Sequence, residues 1–264
     1  MSKKEGEMSF WGHLSELLSH FRRVLYAFII STLAVMLIPL SIDFSNINPL
    51  ALFYNTITST LINDLQVRFL TEDIILIPIN FYAPLEVYFF ISFIIGTMIS
   101  LPIAFYELYK FFRPALHKHE KGFALKFTAA FMSLFIFGFV FGYLYVVPLS
   151  FRMILEFSSL LNLSPTYNFA DFYSLVGMML LMCGLLFTFP IYIYILVRVG
   201  ILKTELLTKN RRYLYGGILV IIAILDPDPS LITEMLTFIP IVILMEISIF
   251  ISKRVEKTRE QKKD

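Results

Sequence analysis

Residues 101–120 read LPIAFYELYKFFRPALHKHE, the point at which a long apolar run gives way to aromatic, basic and acidic side chains. A run of that kind ending in such a cluster reads as a helix leaving a bilayer. Pro114 has no N–H to donate and biases Arg113 away from helical dihedrals, so a break is expected there, with Pro102 a weaker point further back. Phe105, Tyr106, Tyr109, Phe111 and Phe112 form an aromatic cluster suited to the membrane–water interface. After Pro114 come Lys118, Lys121 and Lys126 around one acid, Glu120. A lone carboxylate in a basic, aromatic-lined loop can receive a cation. The same residues also describe a solvated ion pair of Glu120 with Lys118 or Lys121.

Composition extends this reading to the whole chain. Of 264 residues, 58% are hydrophobic and 16% charged, with a mean hydropathy of +0.76; soluble domains have roughly 45–50% and about 25%. The fold class expected is all-α, a polytopic membrane protein in one integral domain. Spans are expected at 24–42, 85–105, 127–147 and 172–197, followed by two weaker ones at 213–225 and 231–251. The fifth is short, roughly 20 Å of helix, and implies a thinned bilayer or a shallow cup of helices. Lys and Arg concentrate in alternate segments: four in 1–23, five in 107–127, five in 198–212 and six in 252–264, leaving only Arg68 and Arg152 elsewhere. The positive-inside rule puts those segments and both termini in the cytoplasm.

Outside the spans, residues 9–23 read as an amphipathic interfacial helix. Phe10, Leu14, Leu17 and Phe21 form its apolar stripe, while Ser9, His13, Glu16, His20 and Arg23 line another face. On residue type alone, His20 and Arg23 neutralise Glu16 in a surface network. Pro49, Leu50, Phe53, Ile57, Leu61 and Leu65 have the spacing of a helix capping the outer surface. Gly138 and Gly142 permit close packing of span three. A loop is expected over 162–168. Pro190 should kink span four, with Thr188 satisfying released carbonyls. The 226–230 turn, DPDPS, is too rich in proline to be helical, and 252–264 reads as a cytoplasmic tail. Glu86, Glu234 and Glu246 are acids in apolar surroundings and hence functional candidates.

Enzyme classes find no footing. Cys183, the single cysteine, lies in an apolar span and reads as a packing residue. His117, His119 and Glu120 lack metal-site spacing, and there is no phosphate-binding loop or nucleophile elbow. No cleavable signal is read at the N-terminus. No cofactor, metal or nucleic-acid partner is expected.

Four motifs carry a resemblance. They are HLSEL at 13–17; Pro102, Tyr106 and Phe111 leading to PALHKHE at 114–120; FTFP at 187–190; and Ile239-Pro240 followed by EISIF at 246–250. Together they resemble the TatC family, the core subunit of the twin-arginine protein translocase. The resemblance implies six helices in a concave, glove-like bundle in the cytoplasmic membrane. It also implies a receptor for paired arginines of the signal peptides of folded cargo, with Glu16, Phe111 and Glu120 as binding residues supported by His13, Pro114, Leu116 and His119. Single-span TatA/TatB-type subunits, further copies of the chain and the lipid bilayer are the implied partners. The sequence departs from the family at Leu18, Ser19 and His20, where a basic residue usually follows HLxEL, and at Thr188, where a glutamate or glutamine is common. Thr233-Glu234 stands where the family has a polar pair. Thr188, Thr233 and Glu234 are the candidate contacts to a partner helix. A different reading is a proton- or cation-coupled small-molecule transporter, which requires Glu86, Glu234 and Glu246 to converge; a third is a membrane scaffold without a ligand.

Overall fold

The computed structural model describes residues 10–40, 56–70, 74–112, 123–163, 166–225 and 230–260. Five helices among them are long and apolar enough to cross a membrane. Helix α1, Phe10–Leu37, runs unbroken through the expected boundary at residue 24. The following helix, α2, spans Ile57–Phe69, with Thr56 as N-cap accepting from the Ser59 N–H. Helix α3 is Ala83–Phe112 and continues through Pro102. Helix α4, Phe123–Phe141, passes through a π turn, Gly142–Val146, into α5, Val147–Leu160. Helix α6, Phe169–Val199, ends on Gly200 in the left-handed conformation that glycine adopts without steric cost. After it come α7, Thr204–Lys209, α8, Arg211–Leu225, and α9, Leu231–Glu260. Helix α8 has 15 residues, or about 22 Å, short of the roughly 30 Å hydrocarbon core of a bilayer.

Thr166–Asn168, within the expected 162–168 loop, instead forms strand β2, paired in parallel with β1, Ile75–Ile77. The pairing gives two connecting segments partners for backbone groups that a bare loop leaves to water. The outer-surface helix begins at Ile57 among the described residues; Pro49, Leu50 and Phe53 lie outside them, as do the first four residues, 226–229, of the proline-rich turn.

Helices pack through small residues. A Cβ on Gly96 of α3 would lie 2.1 Å from Thr32 Oγ1 of α1, and one on Gly138 of α4 2.6 Å from Phe187 Cβ of α6. Gly142 meets Cys183 in the same way. The core divides into three apolar clusters. One joins α2, α3, α5 and α6 around Leu65, Val87, Val147 and Tyr173. Another joins α6, α8 and α9 around Phe187, Ile222, Ile241 and Met245. The third joins α3, α4 and α6 around Phe105, Phe131 and Phe135. Helix α2 is held by polar contacts as well: Thr58 Oγ1 lies 2.8 Å from Ser92 Oγ, and Tyr173 Oη donates to the Ile62 carbonyl at 3.0 Å. Ile30, Ile224 and Ile243 remain exposed, as expected of side chains that lie against lipid.

Candidate functional site

The face of α1 that carries Glu16 also carries His20 and Arg23, four and seven residues on. A carboxylate with a cation at i+4 ordinarily pairs with it. That pairing, expected from sequence, is not the one formed. His20 Nδ1 lies 2.6 Å from Glu107 Oε2 of α3, and Arg23 Nη1 donates to the same oxygen at 2.9 Å. Lys110 Nζ donates to Glu107 Oε1 at 3.3 Å and lies over the Tyr106 ring. The cross-helix contacts win because Glu107 is buried, with 8% side-chain exposure, and a buried carboxylate is stable only when paired and hydrogen-bonded. Glu16 is half-buried and forms no ion pair among the described residues. Sequence reasoning passed over Glu107, although it is the only acid between Glu86 and Glu120.

Of the other expected site residues, His13 and Phe111 lie in α1 and α3, and their side chains are outside the described residues. Pro114, Leu116, His119 and Glu120 lie outside them altogether. Helix α3 carries the chain to Phe112, two residues short of Pro114, at the same end of the bundle as the Glu107 cluster.

The residues considered for a partner helix do not form one group. Thr188 is fully buried in α6, and its Oγ1 donates to the Leu185 carbonyl at 2.6 Å, not to the Leu186 carbonyl that Pro190 leaves unpaired. Its neighbour Phe187 packs in one cluster with Ile241 of α9. Thr233 lies eight residues before Ile241, about 12 Å along the axis; it is buried and donates to the Ser230 carbonyl, while Glu234 is half-exposed in the first turn.

The intramembrane acids also stand apart. Glu86 is exposed in the first turn of α3. Glu234 and Glu246 are twelve residues apart on α9, about 18 Å. Glu246 is held by Arg211 Nη2 at 3.1 Å and by a hydrogen bond from Tyr215 Oη. Ser248 Oγ donates to the Pro190 carbonyl at 2.6 Å, fastening α9 to α6. Among the described residues, no three His, Cys, Asp or Glu side chains group as metal ligands.

Comparisons with known proteins agree with one another. The family described as Sec-independent protein translocase protein (TatC) matches residues 12–240. A Listeria innocua protein named Sec-independent protein translocase protein TatC is 27% identical over 263 residues, covering 98% of both chains. The Aquifex aeolicus protein of the same name is 31% identical over 187 residues, 70% of this chain and 77% of its own. A crystal structure of the twin arginine translocase receptor TatC superposes with a TM-score of 0.71 at 29% identity, covering 92% of this chain and 99% of the other. A second, in DDM, gives 0.72 at 27% identity, with 91% and 99% covered.

Proposed function

The chain belongs to the Sec-independent protein translocase family TatC, and from that premise we propose how it works as the signal-peptide receptor and core membrane component of the twin-arginine translocase. Glu16 and Glu120 each take one guanidinium of the paired arginines. A planar guanidinium presents two parallel N–H donors to a carboxylate, a fork that the single ammonium of lysine cannot reproduce. Phe111 supplies an aromatic face beside them, and His13, Pro114, Leu116 and His119 shape the surroundings. Each exposed pair contributes about 0.2–1 kcal/mol, so the arginines set specificity while apolar burial of the rest of the signal supplies most of the affinity.

The observation that supports this reading is Glu16 itself, a half-buried carboxylate without an ion pair among the described residues, on a helix whose His20 and Arg23 pair with Glu107 instead. The transporter reading lacks such support, since Glu86, Glu234 and Glu246 are spread along the bundle and Glu246 is paired. The protein is not an enzyme on this account. It sits in the cytoplasmic membrane with both termini inside, works with TatA/TatB-type single-span subunits and further copies of itself, and exports folded cargo. Glu234, half-exposed in the first turn of α9, is assigned to contact with a partner helix, whereas Thr188 and Thr233 are fully buried inside the bundle and do not reach such a partner.

The test is photocrosslinking in membranes. A photoreactive amino acid at position 16 or 111 should capture a precursor with an Arg-Arg signal and not its Lys-Lys counterpart. Equal capture of both, or capture of neither, contradicts the assignment.

A further inference from the structure

Glu107 is the only buried charged residue among the described residues. Its basic neighbours come from two helices, His20 and Arg23 from α1 and Lys110 from α3. Two of them stand on the Glu16 face of α1, His20 one turn on, where an i, i+4 pair with Glu16 could form, and Arg23 about 10 Å on, yet both are drawn across to α3. Arg23 is the more consequential, because its side chain is 55% exposed and long enough to swing back. A guanidinium arriving at Glu16 then meets a carboxylate without an ion pair among the described residues, and a nearby cation already offset by Glu107.

We propose that Glu107 is a positioning residue for arginine recognition: it holds His20 and Arg23 against α3 and so keeps Glu16 unneutralised for the incoming signal peptide. The proposal rests on the assignment of Glu16 as a signal-binding acid. It also gives physical meaning to this chain's departure after HLSEL. With Leu18 and Ser19 following the motif, the first basic residues on α1 beyond Glu16 are His20, Arg22 and Arg23, and Glu107 takes the two that share the face of Glu16.

The test uses the detergent-solubilised full chain and synthetic Arg-Arg and Lys-Lys signal peptides. Glu107→Gln keeps the shape and removes the charge. It should weaken Arg-Arg binding about tenfold, the scale of one lost charge-assisted contact, and shrink the preference over Lys-Lys. Adding Arg23→Gln to that variant should restore most of both, which a merely structural role of Glu107 does not predict. Arg23→Gln alone should change affinity less than about twofold, since Glu107 already occupies Arg23. Loss in Glu107→Gln without recovery in the double variant overturns the proposal, as does unchanged affinity and preference in Glu107→Gln. If Glu107→Gln fails to fold, Arg23→Gln decides: tightening beyond about threefold means that Arg23 competes for Glu16 despite Glu107, and overturns it. A Glu16→Gln control separates the two levels. If that control has no effect, the site assignment itself fails; if it removes the preference while Glu107→Gln does not, only the present inference fails.

Discussion

Glu246 illustrates how a carboxylate is kept within an apolar helix, with Arg211 and Tyr215 both directed at it from α8. Replacing it with alanine removes a charged acceptor from two donors. Glu246→Ala should therefore cost about 1–2 kcal/mol, read as a lowered thermal midpoint in detergent, while arginine-peptide binding persists. Thr188 behaves differently, because its hydroxyl bonds back to a carbonyl of its own helix, and such bonds add little to helix stability. Thr188→Val should shift stability by less than about 1 kcal/mol, read as an almost unchanged thermal midpoint in detergent. At this scale the sequence was partly legible. Glu16 stood out by its motif, but its freedom did not, because the residue that engages its neighbours lies 84 and 87 positions away on another helix. No i, i+4 rule reaches across that gap.

Pairs of helices are governed by glycines and by what faces them. Helix α1 leans chiefly on α3, at a contact where Gly96 leaves no room for a Cβ beside Thr32 and where Ser31 Oγ donates to the Gly96 carbonyl at 2.8 Å. Gly96→Val should force the two helices apart, cost about 1–3 kcal/mol or more, and displace His20 and Arg23 from Glu107. Gly216 in α8 has nothing within 4 Å of a built Cβ; Gly216→Ala should be neutral or stabilise by up to about 1 kcal/mol. Thermal unfolding of the two variants side by side checks the contrast. Long apolar helices were legible because each is one uninterrupted run with charge at its ends. The β1–β2 pair was not, since three-residue strands carry no usable alternation. The π turn was also hidden, set where Gly142 meets Cys183 and just ahead of Pro148, which has no N–H.

Across the whole molecule, five long helices and the short α8 make a bundle of uneven depth. Helix α9 runs fourteen residues past Glu246, and Glu256 accepts from Thr204 N–H and Oγ1 to anchor α7 there. On the charge bias we propose that this extension faces the cytoplasm. A cysteine at Lys253 in a chain with Cys183→Ala should then react with an impermeant maleimide only in inverted vesicles, and one at Ile79 only in intact cells. The central claim is that two carboxylates on the cytoplasmic side read paired arginines, and the most direct measurement is peptide binding to the solubilised chain. Arg-Arg and Lys-Lys signal peptides are titrated against the native protein, Glu16→Ala and Glu120→Ala. The account predicts that the native chain prefers the Arg-Arg peptide and that each substitution removes the preference; equal binding of both peptides, unaffected by either substitution, would contradict it.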